Sequence, residues 1–227
     1  MKNIIFVLLW GMGPLFVSSQ VNLDLEFGSS RADYGHWELG INHAISTKWR
    51  IGAEFQASDY RYRFIDARAV RNGFAGQFRL LLMGRMAESE LLRLDFFAKP
   101  GFRYTAAGEE GEQFFENYDF QNSMALTLDP GILVSIKVRE NLNFHTGLNM
   151  HTVLQIQPEA ILEQYPSSFL LAGASWSPAK RWVLFSKNSV GPAAGASGDT
   201  RKFFWESSLG IRFILGSPDS QSLILGF

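Results

Sequence analysis

Along residues 142–157, "LNFHTGLNMHTVLQIQ", polarity changes at almost every step. Even positions carry Leu142, Phe144, Thr146, Leu148, Met150, Thr152, Leu154 and Ile156; odd positions carry Asn143, His145, Gly147, Asn149, His151, Val153, Gln155 and Gln157. A two-residue period is that of a β-strand with one apolar and one polar face. Strands in globular domains usually run about five or six residues. This one is far longer, so the first question is what medium its apolar face meets.

The alternation recurs from end to end. Val21, Leu23, Leu25 and Phe27 oppose Asn22, Asp24 and Glu26; Trp37, Leu39 and Ile41 oppose Glu38, Gly40 and Asn42; Trp49, Ile51, Ala53 and Phe55 oppose Arg50, Gly52, Glu54 and Gln56. Further on, Leu92, Leu94, Phe96, Ala98, Phe102 and Tyr104 oppose Arg93, Asp95, Lys99 and Arg103. Met124, Leu126, Leu128, Ile132, Val134, Ile136 and Val138 oppose Thr127, Asp129, Ser135 and Lys137; Phe203, Trp205, Leu209, Ile211, Phe213 and Leu215 oppose Glu206, Ser208, Gly210 and Arg212. Three segments, "GFAGQFRLLLMGR", "FLLAGASWS" and "WVLFSKNS", are less regular, the first two with apolar residues on both parities. Counting them predicts ten strands; reading the weak segments as loops leaves eight. Short turns near 46–48, 87–90, 139–141 and 177–181 alternate with longer polar connections at 58–72, 106–121, 157–166 and 190–201; only 29–35, on the long side, is short.

Which face needs water decides the architecture. A soluble sandwich or barrel hides its apolar face and shows the charged one, and for that the strands here are needlessly long and regular. The inverse arrangement places the apolar face in lipid, which about 9–11 tilted residues per strand suffice to cross. Gly40, Gly52, Gly101, Gly131, Gly147 and Gly210 fall on the polar face, where a crowded lumen needs room. Trp49, Trp176 and Trp182 flank the short turns, and Tyr34, Trp37, Tyr104 and Trp205 lie near the long connections, as two interfacial girdles would. The expected fold is all-β: a closed antiparallel transmembrane β-barrel with short turns at one end and long loops at the other.

Composition narrows the field. With 22 acidic and 21 basic residues there is no charge excess to hold nucleic acid. The absence of cysteine rules out disulfides, and neither a metal-spaced His/Cys cluster nor a phosphate-cradling glycine loop is visible, so no metal and no cofactor is expected. Residues 1–19 read as a cleaved signal peptide: Lys2, an apolar run broken by Gly11, Gly13 and Pro14, then Ser18 and Ser19. The barrel is then expected at 20–215 and a C-terminal tail at 216–227.

The leader, the alternating strands and "SSLGIRFIL" at 207–215 together resemble small outer-membrane β-barrel proteins of Gram-negative bacteria, especially those of the Bacteroidota. Terminal strands of that family typically read Leu-Gly-Ile-Arg-Phe, as residues 209–213 do here. The resemblance implies outer-membrane residence among lipid and lipopolysaccharide, and an assembly machinery that reads a terminal aromatic, either Phe213 or Phe227. The chain runs on through "GSPDSQSLILGF". Either Phe213 closes the barrel ahead of a periplasmic tail, or residues 222–227 form the recognised element. The family includes porins, adhesion proteins, enzymes and complex subunits, so membership names no activity.

Two places carry candidate chemistry. On the polar face Glu38, Arg50, Glu54, Arg79, Arg93, Asp95, Lys99, Arg103, Asp129, Lys137, Glu206 and Arg212 mix signs. In so narrow a barrel they are expected to pair and fill the lumen, whereas a selective pore favours a ring of one sign. Centring a turn on Glu140 sets Asp129 opposite His151 and Ser135 opposite His145; an Asp on a His is a unit that activates water or a hydroxyl, but no nucleophile motif accompanies it. The loops are the second place. Arg61, Arg63, Arg68 and Arg71 lie among Tyr60, Tyr62 and Phe64, and Glu109, Glu110 and Glu112 lie beside Phe114 and Phe115. Opposite charge and shared aromatics suit a cap, or a docking surface for an envelope protein or lipopolysaccharide. The expected role is structural or partner-binding, with a subunit of an envelope complex as one form of it, and not enzymatic; a small-solute channel ranks second and a hydrolase using Asp129 and His151 third.

Overall fold

A computed structural model describes residues 20–30, 33–63, 70–107, 123–157, 161–162, 167–193, 202–216 and 224. The strands are β1 (Val21–Ser30), β2 (Asp33–Ala44), β3 (Trp49–Arg63), β4 (Val70–Glu88), β5 (Leu92–Ala107), β6 (Ser123–Arg139), β7 (Leu142–Gln157), β8 (Ile161–Leu162), β9 (Ser167–Ala179), β10 (Trp182–Ala193) and β11 (Lys202–Leu215). All but the two-residue β8 are barrel staves, so the structure is a closed antiparallel barrel of ten strands. Consecutive staves pair, β7 joins β9 directly, and β1 pairs with β11 from Val21↔Leu215 to Ser30↔Glu206. Closure leaves no sheet edge, which is the condition for a β-structure to cross lipid.

The direction of the faces is inverted relative to a soluble barrel. Leu148 and Leu209 on the outside are 63% and 69% exposed, while Asp95, Lys99 and Arg212 on the inside are 0%, 1% and 1% exposed. Phe55, Phe78, Leu82, Leu128, Ile132 and Leu184 continue the bare apolar exterior around the barrel. Such a surface is stable only where lipid, rather than water, wets it. Aromatic pairs lie toward its two borders: Trp49 meets Phe96 edge-on at 5.5 Å and Trp182 meets Phe213 at 4.8 Å near the short turns, while Trp37 meets Phe55 at 5.5 Å toward the other end. Trp176 and Trp205 are also exposed on this surface, and Tyr104 is half-buried.

The three irregular segments are strands, which sets aside the eight-stranded alternative. They look irregular because the lumen is not polar throughout. Leu81 and Met83 of β4, Phe97 of β5, Leu133 of β6 and Leu171 of β9 point inward and form one buried apolar cluster toward the short-turn end. Val183 and Phe185 of β10 are buried too. Glycines make the space for the inward aromatic rings: a Cβ on Gly131 would overlap Phe97, and one on Gly210 would overlap Phe185. Of the polar-face glycines, Gly131 and Gly210 thus accommodate aromatic rings, while Gly101 lies against Arg79 and Gly40 against Asp24, nearer to the long charged side chains expected from the sequence.

One boundary differs from expectation. The connection at 58–72 is largely ladder, with Arg61↔Asn72, Tyr62↔Arg71 and Arg63↔Val70 paired. Arg61, Arg63 and Arg71 therefore sit on strands and not in a loop. Ladder hydrogen bonds do not require an apolar face, and the Tyr-Arg-Tyr-Arg run itself alternates, so the hairpin continues past the greasy band. Arg68, Glu109, Glu110, Glu112, Phe114 and Phe115 lie outside the described residues, as do residues 1–19 and Phe227.

Candidate functional site

The lumen is crossed by a chain of ion pairs of alternating sign. Glu26 of β1 and Glu38 of β2 face each other directly in the register, an arrangement that would repel. Lys187 reaches from β10 to both, 2.7 Å from Glu26 and 3.7 Å from Glu38. Arg79 of β4 bonds Glu38 on one side and lies 3.3 Å from Glu54 of β3 on the other. Lys99 of β5 closes the series at 2.7 Å from Glu54. The hydroxyl of Ser208 donates to Glu26. Each charge has an opposite partner within reach, which offsets the cost of burying it. These side chains project into the lumen from β1, β2, β3, β4, β5 and β10.

Nearer the short turns, two further pairs flank the apolar cluster. Arg212 donates from Nε and Nη2 to the two oxygens of Asp24 at 2.6 and 2.7 Å, a bidentate fork. Arg93 donates from Nε to Asp95 at 2.8 Å. Arg212 and Lys187 also lie 5.9 and 5.4 Å from the centre of the Phe185 ring, which packs their cationic ends against an aromatic face. Ser135, His145 and Ser175 form a buried relay, with Ser135 Oγ 2.9 Å from His145 Nδ1 and Ser175 Oγ 2.9 Å from His145 Nε2.

Toward the long-connection end, His151 Nδ1 bonds Asp129 Oδ1. The register across the turn at Glu140 is the one the sequence implies, with Ser135↔His145 and Leu128↔Thr152 paired. On its other side His151 pairs with Ser167, the first residue of β9. An Asp, a His and a Ser thus stand in a row on β6, β7 and β9. His36 Nε2 lies 3.3 Å from Glu206 at the same end.

Of the lumen residues singled out from the sequence, Glu38, Glu54, Arg79 and Lys99 meet in the central series, Arg93 meets Asp95, and Asp129 meets His151. Arg103 is half-buried, and Lys137 is exposed at the short-turn mouth. Arg50 Nη1 donates at 3.0 Å to the backbone carbonyl of Ile224. Arg212 Nη1 donates to the same oxygen at 2.6 Å. Ile224, only 3% exposed, completes the apolar cluster of Leu81, Met83, Phe97, Leu133 and Leu171. A lone isoleucine beyond the last strand carries no periodic signal, so this contact was invisible in the sequence. Among the described residues no cluster of three or more His, Asp or Glu could hold a metal ion.

Comparison with known proteins gives the fold class. No protein-family profile matches the chain, and no curated protein sequence matches it significantly. Among solved structures it is similar to the translocator domain of the autotransporter NalP from Neisseria meningitidis, with 10% identity, a TM-score of 0.51 and coverage of 93% of this chain and 95% of that one. Further similarities are to the outer-membrane protease OmpT from Escherichia coli (9% identity, TM-score 0.48, 86% and 96% covered) and to the porin NanC (10% identity, TM-score 0.45, 84% and 98% covered). At such identities the likeness concerns architecture. Fold and inverted faces together define an antiparallel transmembrane β-barrel of the outer-membrane kind.

Proposed function

We propose that this protein is an outer-membrane barrel whose lumen is a filled structural core and whose long-connection end binds a partner in the cell envelope. The observation that carries the reading is the central ion-pair series from Glu26 to Lys99, which occupies the bore with charges that already have partners. A conduit needs a water column or a ring of one sign, and a series of alternating sign supplies neither. Export through the leader at 1–19 and the Bacteroidota-type run at 209–213 support residence among lipid and lipopolysaccharide, after delivery by the assembly machinery. The hairpin of β3 and β4, which continues past the apolar band and carries Arg61, Arg63 and Arg71, is the natural contact surface for an acidic partner. Single-protein recordings in a planar bilayer test the filled bore: no conductance steps are expected, and steady stepwise conductance would make the protein a small-solute channel.

A second reading, an integral-membrane hydrolase, has one observation in its favour, the row Asp129, His151 and Ser167. His151→Ala separates the two. Loss of ester or peptide hydrolysis with an intact barrel would favour the enzyme, and a purely structural change in melting would favour packing.

A further inference from the structure

The short-turn mouth brings together a buried donor and a buried acceptor that the barrel leaves without a bond. Arg93 of β5 turns Nε and Nη2 toward Asp95, each 2.8 Å from a carboxylate oxygen. A planar guanidinium bound along that edge directs Nη1 away from Asp95, and among the described residues Nη1 has no hydrogen-bond partner. Asn143 of β7 is the second case, its buried Oδ1 likewise accepting no bond among the described residues. Both residues are 8% exposed, so neither atom is a surface group bathed in bulk solvent. Buried polar atoms are paired in the great majority of cases, and these two exceptions share one place. Arg93 pairs with Ser135 and Lys137 pairs with Asn143 in the register, so β6 lies between them. All four line a cavity of about 90 Å³ under the turns. Strands two apart in a sheet are separated by about 9–10 Å, a gap that two side chains and a molecule of a few heavy atoms can span.

We propose that this cavity binds a small α-amino acid, its carboxylate on Arg93 Nη1 and Lys137 and its ammonium on Asn143 Oδ1 and Glu140. The unmatched donor asks for an acceptor oxygen and the unmatched acceptor asks for an N–H or O–H, so the ligand carries both, a few atoms apart. The surrounding charges make those groups ionic. Arg93 is neutralised by Asp95 and Glu88 by Arg85. Lys137, Glu90 and Glu140 also line the cavity and form no ion pair among the described residues. Charges of both signs therefore remain, which a zwitterion meets and a lone anion or cation meets only in part. Glu140 belongs to the turn that leads into Asn143, which sets an acid at the ammonium end. Glu90, exposed on the turn before β5, disfavours phosphate and other multiply charged anions at the carboxylate end. With the lumen beyond it read as filled by ion pairs, the cavity is a pocket and not a passage. The inference goes beyond the partner-binding reading, which concerns the opposite mouth, and either can fail alone.

Asn143→Leu tests the site without threatening the fold, because it deletes an acceptor that has no bond to lose. The full chain and this variant, isotope-labelled and folded in detergent micelles where each mouth meets solvent, are titrated with glycine while NMR follows the backbone amides of Ser135 and position 143. Glycine is expected to shift both signals saturably in the wild type. Acetate and glycine methyl ester, each keeping one of the two charges, are expected to bind about tenfold more weakly or worse. Asn143→Leu is expected to weaken glycine to a similar degree while its thermal unfolding midpoint stays at or above that of the wild type. Absence of a saturable shift, or equal glycine binding by the variant, would overturn the site; acetate binding as tightly as glycine would overturn the amino acid as its ligand. Should Asn143→Leu not fold, Lys137→Gln, at an exposed position of the same mouth, supplies the same comparison with the same outcomes.

Discussion

Arg79 shows how a single side chain holds the lumen together. It bridges Glu38 and Glu54, whose own strands are separated from β5 and β10 by other staves. Arg79→Met removes the charge between the two acids and leaves Glu38 with Lys187 at 3.7 Å and Glu54 with Lys99 at 2.7 Å, which is expected to destabilise the barrel by about 1.5–3 kcal/mol. Equilibrium urea unfolding from lipid vesicles measures this, and wild-type stability would mean that the acids find other compensation. Gly131 is a steric counterpart. Gly131→Ala forces both the Phe97 ring and the Leu148 backbone carbonyl to give way, at about 1–3 kcal/mol; in a Phe97→Leu background the ring's share of that cost is expected to fall while the carbonyl's share stays. Residue-scale chemistry was legible in the sequence only where periodicity positions it. Turn-centred register brought Asp129 to His151, because both lie on long regular strands that share a tight turn. The role of Arg50 was not legible, since its acceptor is a backbone carbonyl far along the chain, at Ile224.

At the scale of elements, strand phase is the property most fully written in the sequence. On β6 and β7 the even positions face outward and are apolar apart from Pro130, Thr146 and Thr152, and strand identity there follows from the pattern alone. β4, β9 and β10 were harder because two demands meet on them. Their outward residues face lipid, while Leu81, Met83, Leu171, Val183 and Phe185 build the apolar part of the lumen, so both parities are greasy. No period-two rule distinguishes such a strand from a buried loop. The extension of β3 and β4 to Arg63 and Val70 was missed for the opposite reason: a paired ladder beyond the membrane border needs no apolar face to mark it. Phase makes a prediction at this scale. Ile132→Arg, near the middle of β6 on the outer face, is expected to cost about 2–4 kcal/mol in vesicles. A cost near zero would place that face in water or at the lipid border.

For the molecule as a whole, the charges and the grease have exchanged their usual places, and each exchange depends on the other. A lumen of buried ions is tolerable because opposite charges pair across several staves. An exterior of bare Leu, Ile and Phe is tolerable because lipid surrounds it, and closure of β1 on β11 leaves no backbone group for that lipid to strand. Spin labels placed one at a time along positions 143–154 of β7, in lipid vesicles, test this arrangement most directly. Labels at even positions are expected to be relaxed strongly by oxygen dissolved in the bilayer, and labels at odd positions to be shielded within the lumen. Even-position labels relaxed by a water-soluble nickel complex instead, or no two-residue period at all, would contradict it.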